Sequence, residues 1–88
     1  MSKEIIIAEW MKNEREVVRV RLDVFKDRPI VDCREWYRAS DGTFKPGRAG
    51  LTVSIRHLPS LANALAKAME TAIAVGSIDE YHPNANDS

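Results

Sequence analysis

Residues 30–51 read IVDCREWYRASDGTFKPGRAGL. Up to Tyr37 the residues alternate with a period of two and are rich in β-branched and aromatic side chains, which predicts a half-buried strand. Asp41 and Gly42 then predict a turn, because glycine tolerates positive φ and aspartate bonds to nearby backbone N–H groups. The following segment contains Pro46, which donates no ladder hydrogen bond, and two glycines. It is therefore expected to be an edge or bulged strand that lies close to a ligand.

Two more strands are predicted before this stretch. Three consecutive isoleucines and Trp10 indicate the first, and a polar turn at residues 12–14 leads into the second. The second strand alternates an aliphatic core face with a charged face, namely Val18, Val20, Leu22 and Val24 against Arg19, Arg21 and Asp23. A turn at residues 26–29 brings Pro29 to the start of the next strand. The four strands are expected at about 4–11, 15–25, 29–38 and 43–53, in an antiparallel meander.

From residue 54 the apolar period changes to three and four, which predicts an amphipathic helix at about 55–75 that ends near Gly76. Pro59 lies inside this range, so an irregular first turn is expected, with regular helix from Pro59. The helix is rich in alanine, which lets another helix approach closely. One helix leaves part of the sheet uncovered, so two subunits are expected to pair through their helices. Residues 77–88 are polar and are expected to form a disordered tail after a single domain of residues 1–76.

Composition limits the class of protein. The chain has 88 residues and a net charge of zero, and a domain this small is marginally stable unless it dimerises. Cys33, His57 and His82 form no catalytic or metal-binding motif, so no enzyme, cofactor or metal site is predicted. One cysteine cannot form an intrachain disulfide, and no apolar run is long enough to span a membrane. Residues 12–48 contain ten basic and seven acidic residues, a net +3 that is mild for a nucleic-acid-binding protein.

Several motifs in the same order carry a resemblance to a known family. They are Phe25-Lys26, the IVDCREWY run at 30–37, Asp41-Gly42, the KPGR run at 45–48 and the GLTV run at 50–53. This set resembles the DNA-binding domain of the transcriptional coactivator positive cofactor four and its bacterial relatives, over residues 5–65 without an obvious gap. The resemblance implies an α+β, whirly-like fold, in which a curved four-stranded antiparallel meander precedes one C-terminal helix. It also implies a homodimer that binds single-stranded or melted DNA.

Proteins hold single-stranded nucleic acid by stacking bases on aromatic rings and by placing cations along the phosphates. On periodicity alone, core or interface packing is the better interpretation of the aromatic residues, and ion pairing explains the charged face of the second strand. The resemblance instead implies that Phe25 and Tyr37 stack on bases and that Lys45 contacts a phosphate. The nucleic-acid-binding residues are predicted to be Arg19, Arg21, Phe25, Lys26, Arg28, Arg34, Trp36, Tyr37, Lys45 and Arg48.

Three departures from the family pattern bear on this prediction. Ala49 stands where a lysine is usual, which suggests weaker phosphate contact, and Leu58 replaces a tryptophan of the early helix. The segment 27–29, Asp-Arg-Pro, replaces a turn that contains glycine.

The sequence leaves the following alternatives open. The predicted function is binding of single-stranded DNA with little dependence on base sequence, in transcription regulation or on melted or damaged DNA. RNA is a further candidate ligand, because nothing in the sequence bears on recognition of the 2′-hydroxyl. The rival is a small dimeric protein-interaction module without nucleic-acid affinity. The chain lacks the serine- and lysine-rich extension of eukaryotic coactivators, so a bacterial cytoplasmic, nucleoid-associated protein is expected, or a nuclear one if the source is eukaryotic.

Overall fold

The computed structural model of the chain describes residues 4–76. The elements are β1 (Ile5–Met11), β2 (Glu16–Phe25), β3 (Arg28–Arg38), β4 (Phe44–Ser54), a 3₁₀ turn (Ile55–His57) and α1 (Leu58–Ala74). Each strand begins within one residue of its expected position. The tail predicted for residues 77–88 lies outside the described residues.

The four strands form one antiparallel sheet in the order β1-β2-β3-β4, which confirms the predicted meander. Two irregularities interrupt its register. Ile7 is an extra residue of β1, and residues 47–49 of β4 stand against Glu35 alone, between the pairs Arg34↔Gly50 and Trp36↔Pro46. Bulges bend a strand and increase its twist, and the open sheet is curved. The prediction that Pro46 belongs to a bulged edge strand is therefore confirmed.

The two faces of the sheet differ in chemistry, as the alternation in β2 predicts. Cross-strand pairing aligns aliphatic residues on one face, in the row Ile5, Leu22, Val31 and Val53. On the other face the row is Ile6, Arg21, Asp32 and Thr52, and Arg19 and Arg34 lie beside it. Val17, Val31 and Asp32 are the buried residues of the described chain. Such a small core leaves much apolar surface exposed in the single chain.

The turn between β2 and β3 is shorter than expected. Phe25 pairs with Arg28, so the loop consists of Lys26 and Asp27 alone, and Pro29 already lies in β3 opposite Val24. Lys26 and Asp27 have φ of 52° and 64°, the left-handed region that glycine or asparagine usually occupies. Positive φ at both central residues is typical of type I′ hairpin turns, whose twist matches the flanking strands. The turn therefore closes tightly without glycine.

The chain divides into two compact units, the sheet up to Ile55 and a helical unit from Arg56. Regular helix begins at Leu58 after the 3₁₀ turn, and Pro59 falls in its first turn, where its missing N–H has no helical partner to lose. The helix ends before Gly76, whose φ is 81° and whose N–H donates to the Ile73 carbonyl. No helix within residues 4–76 is long and apolar enough to cross a membrane.

Candidate nucleic-acid interface

Tyr37 lies near the end of β3, in the middle of one end of the sheet. It pairs with Glu16 of β2 on one side and with Lys45 of β4 on the other, so these three side chains form a row on one face. Side chains directly opposite in an antiparallel pair have Cβ atoms about 5 Å apart. Tyr37 is 44% exposed. A carboxylate, an accessible aromatic ring and an ammonium group thus lie side by side at this end.

Phe25 occupies the opposite end, at the tip of the β2–β3 hairpin. It is 61% exposed, and the Lys26 Nζ lies 5.3 Å from the centroid of its ring. Arg28 pairs with Phe25 across the turn and is also exposed. An exposed phenylalanine between two cations gains little from packing within the chain, and it has the composition of a base-stacking platform.

These two ends are far apart within one chain. Phe25 aligns with Arg28 and Tyr37 lies nine positions further along β3. At about 3.3 Å per residue this corresponds to roughly 30 Å along the strand. A single base step cannot bridge the two rings, so they form two separate platforms.

The basic residues of the sheet fall into two groups. Four are held in ion pairs, with the partners Lys12–Glu35, Arg19–Glu9, Arg21–Glu4/Asp23/Asp32 and Arg34–Asp32. Within the described part of the chain the others have no carboxylate partner within 4 Å, namely Arg15, Lys26, Arg28, Arg38, Lys45 and Arg48. A cation without a carboxylate can neutralise a phosphate without first breaking an ion pair. Of the predicted basic site residues, four belong to this second group.

Arg34 makes its hydrogen bonds to other residues of the sheet. Its Nε donates to Asp32 Oδ1 at 3.1 Å, and its Nη1 donates to the carbonyl oxygens of Gly47 and Arg48, both at 3.1 Å. Its Nη2 donates to Thr52 Oγ1 at 3.0 Å and lies 3.1 Å from Asp32 Oδ1. Four of the five N–H donors of the guanidinium group therefore have a hydrogen-bond acceptor within the sheet. Arg34 thus ties the bulge of β4 to the sheet, and most of its donors are used there.

Glycine at position 50 makes this arrangement possible. Gly50 lies opposite Arg34, and a Cβ atom added to it would come within 2.8 Å of the Arg34 Cβ and of the Cys33 carbonyl oxygen. Real Cβ atoms essentially never approach so closely, so a larger residue would push β4 away from β3. The close approach of β4 to β3 beside the bulge therefore requires glycine at position 50.

Asp32 is the acceptor at the centre of the charged face. It is 1% exposed and accepts hydrogen bonds from Arg21, Arg34 and Thr52, the last at 2.5 Å. Burial by itself raises the pKa of this carboxyl. The hydrogen bonds from Thr52 and Arg34 and the positive charges of Arg34 and Arg21 outweigh that effect, so the pKa lies below its usual value. Asp32 is therefore a buried anion that neutralises two arginines.

Trp36 is covered by the arginines of the neighbouring strand. The Arg19 guanidinium lies 4.3 Å from the ring centroid and that of Arg21 lies 5.6 Å away, at cation–π distances. The Trp36 Nε1 is buried and has no hydrogen-bond partner in the described structure. One face of the ring is thus already occupied, in contrast to the accessible rings of Phe25 and Tyr37. The structure brings Arg19, Arg21, Arg34 and Trp36 together as an internal network.

Two basic residues that the prediction did not include lie beside Tyr37. Arg15 and Arg38 line an open depression of about 580 Å³ together with Asn13, Glu14, Glu16 and Tyr37. The Arg38 N–H donates to the Arg15 carbonyl at 2.9 Å, which extends the β2–β3 pairing and places the two arginines next to each other. The sequence already contained a signal for them, because the predicted strands 15–25 and 29–38 place Arg15 and Arg38 at adjacent strand ends. Within residues 4–76 no group of three or more acidic, histidine or cysteine side chains could hold a metal ion.

The fold and the site define a small antiparallel-sheet domain with one C-terminal helix, whose accessible aromatic rings stand beside unpaired cations. Residues 12–64 match the model of the family described as Transcriptional Coactivator p15 (PC4). This match covers more than half of the chain, so the chain belongs to the PC4 family. The resemblance noted in the sequence is thereby confirmed.

Solved structures agree with this assignment. A PC4 homolog from Burkholderia pseudomallei K96243, in its tetragonal crystal form, superposes with a TM-score of 0.67 at 26% identity, over 75% of this chain and 97% of that chain. Its orthorhombic form gives 0.65 at 26% identity, over 73% and 86%. The bacteriophage T5 homolog of the eukaryotic transcription coactivator PC4, implicated in recombination-dependent DNA replication, gives 0.63 at 17% identity, over 85% and 82%. No curated protein sequence matches the chain significantly.

Proposed function

We propose that this protein is a homodimeric single-stranded DNA-binding protein with little sequence dependence, which acts in transcription regulation or on melted or damaged DNA. The observation that carries the proposal is the distribution of the unpaired cations. They lie beside the accessible rings, Lys26 and Arg28 at Phe25, and Lys45 at Tyr37. Membership of a coactivator family agrees with this assignment.

Binding proceeds in two physical steps. The unpaired cations attract the phosphates and release counterions, which makes the affinity fall with salt. Unpaired bases then stack on Phe25 and Tyr37, each worth about 1 to 3 kcal/mol by analogy with other stacking platforms. A duplex hides its base faces, so only the first step is available to it. The protein is therefore expected to prefer single strands.

A dimer fits the surface of the single chain. Leu65 is 61% exposed, and Met69 and Ile73 on the same helix are also exposed, as are the isoleucines of β1. Apolar surface of this extent is typical of a subunit interface. A second copy would also bring more aromatic rings to one DNA strand than the two distant platforms of a single chain. A cytoplasmic, nucleoid-associated location follows from this function in a bacterium.

The oligomeric state has its own test. Leu65→Lys is expected to convert the dimer to monomer in sedimentation equilibrium, because it places a charge in the proposed interface. Asn63→Lys adds the same charge to an exposed helix position on the polar side, next to Lys67 and Glu70, and should leave the dimer intact. A monomeric parent protein, or dissociation by both variants alike, would contradict pairing through the helix.

The function itself is tested by fluorescence anisotropy of a labelled mixed-sequence oligonucleotide of about 20 nucleotides, single-stranded and duplex, at two salt concentrations. We expect salt-sensitive binding that prefers the single strand, and a weakening of roughly tenfold or more for Phe25→Ala combined with Tyr37→Ala. A double variant that binds as tightly as the parent would refute stacking. Binding of neither DNA at low salt would refute the function and favour the protein-interaction alternative, while an equal affinity for RNA would broaden the ligand class.

A further inference from the structure

The depression beside Tyr37 has a feature that phosphate capture and stacking do not require. Its lining includes the Glu16 carboxylate, directly across from Tyr37, although a carboxylate repels phosphate. A site built only for the backbone of a nucleic acid would carry a neutral or basic residue there. The Glu16 carboxylate next to the Tyr37 ring favours a ligand that carries hydrogen-bond donors.

The Glu16 carboxylate is held in a fixed orientation. Asn13 Nδ2 donates to Glu16 Oε1 at 2.8 Å, and the Asn13 Oδ1 accepts from the backbone N–H groups of Arg15 and Glu16 at 2.8 and 2.9 Å. This Asx turn fixes the β1–β2 connection and one oxygen of the carboxylate. Glu16 Oε2 has no donor among residues 4–76. One charged acceptor is thus left free and is preoriented.

We propose that the depression holds one unpaired nucleobase stacked on Tyr37, and that Glu16 accepts a hydrogen bond from its exocyclic amino group. This inference rests on the proposed function and adds a base preference to it. Cytosine, adenine and guanine carry such an amino group. Thymine has none and presents a carbonyl oxygen in the place of the cytosine amino group, which faces a carboxylate unfavourably. Arg15 and Arg38 flank the depression and stand within the same lining to hold the adjoining phosphates.

The experiment compares homopolymers of cytosine and thymine of about 15 nucleotides, at slightly alkaline pH, by anisotropy with the parent protein. One charge-assisted hydrogen bond predicts a preference for cytosine of roughly tenfold. Glu16→Leu should bring the cytosine to thymine ratio of affinities to about one. Glu14→Leu is the matched control, because Glu14 lines the same depression on the turn but does not pair with Tyr37. It removes the same charge and should leave the ratio unchanged.

A change in the ligand tests the same contact without a variant protein. An oligonucleotide of N4,N4-dimethylcytosine has no amino hydrogens and should bind the parent protein no more tightly than the thymine homopolymer. Parent protein that binds both homopolymers tightly and equally, or a ratio that Glu16→Leu leaves intact, would overturn this inference while the proposed function stands. Failure to bind either homopolymer would instead overturn the proposed function.

Discussion

Tyr37 of β3 lies directly opposite Lys45 of β4, with an accessible ring and an ammonium group that has no carboxylate partner in the described chain. The pair stands immediately before the bulge of β4, which Arg34 ties to the sheet. Under the proposed function, a base stacked on the ring would have its phosphate close to Lys45. The two contributions that the proposed function requires, stacking and charge neutralisation, would then come from neighbouring residues.

Lys45→Gln is expected to weaken single-strand binding and to make it less sensitive to salt. Each lost phosphate contact should reduce the slope of log K against log salt by about 0.7 for a single strand. Anisotropy titrations at four or more salt concentrations measure this slope. Lys67→Gln is the matched control, because Lys67 is an exposed lysine of the helix, outside the sheet. An unchanged slope for Lys45→Gln, or an equal change for Lys67→Gln, would remove Lys45 from the interface.

Arg34→Lys is expected to weaken binding roughly tenfold although it keeps the positive charge. Lysine has a flexible ammonium group and cannot reproduce the planar fork that holds Asp32, Thr52 and the bulge carbonyls together. Arg28→Lys is the control, since Arg28 has no ion-pair partner and a lysine there should bind DNA within about twofold of the parent. The measurement is again anisotropy with a single strand.

A double-mutant cycle separates the positioning role of Arg34 from a direct phosphate contact. If Arg34 acts by holding the bulge that carries Arg48, its substitution should have a smaller effect once Arg48→Gln is present. Additive effects of the two substitutions would show that Arg34 contacts the phosphate independently of Arg48. That result would contradict the positioning role inferred from its hydrogen bonds to the bulge.

Asp32→Asn is expected to lower the free energy of unfolding by about 2 to 3 kcal/mol, because it removes a buried anion and leaves Arg21 and Arg34 without their shared partner. Urea unfolding followed by circular dichroism measures the change. Glu9→Gln removes the exposed partner of Arg19 and should cost less than about 1 kcal/mol. Equal effects of the two substitutions would contradict the central role of Asp32.

The same carboxylate predicts a pH dependence of stability. The pKa of Asp32 in the folded state lies below the unperturbed aspartate value of about 3.9, so the unfolded state takes up a proton at higher pH than the folded state. Its contribution to stability is therefore complete above about pH 4 and is lost as the pH falls through the folded-state pKa. Asp32→Asn should flatten this acid limb in urea titrations. An acid limb as steep as that of the parent would show that other carboxylates cause it.

Asp27→Gly is expected to stabilise the protein by about 1 kcal/mol, because Asp27 has a φ of 64° that glycine adopts without steric cost. Thermal unfolding should show a higher midpoint. The exposed Asp41 of the β3–β4 turn provides a control, since its carboxylate accepts from the Thr43 N–H and hydroxyl, and Asp41→Gly should destabilise that turn. A lower midpoint for Asp27→Gly would mean that the aspartate side chain stabilises the hairpin by more than the strain.

Much of the fold could be predicted from local pattern. Alternation with a period of two placed the four strands, and the change of period after residue 54 placed the helix, since both patterns reflect which side of an element meets the core. Pro46 and the glycines of β4 predicted the bulged edge, because proline donates no ladder hydrogen bond and glycine weakens strand pairing. The length of the β2–β3 turn was overestimated, because Lys26 and Asp27 adopt positive φ without glycine and so let Arg28 pair with Phe25.

The candidate site was predicted only in part, because residue type does not determine partner. Arg19, Arg34 and Arg48 are alike in sequence, yet the first two are held in ion pairs and Arg48 is not. The difference follows from the strand register, which places Asp32 and Glu9 beside some arginines and not others. The contribution of Arg15 and Arg38 to the depression likewise depends on two strand ends that meet in space.

The sequence by itself determined the elements of this protein, their antiparallel order and its family, because these depend on periodicity and on motifs that are local along the chain. The tertiary structure alone decided which cations stay unpaired, how far Phe25 lies from Tyr37, and that Glu16 faces the same ring as Lys45. Those properties arise from register and bulges, which bring together residues distant in sequence. The chemistry of the surface therefore depends on pairings that no single segment encodes.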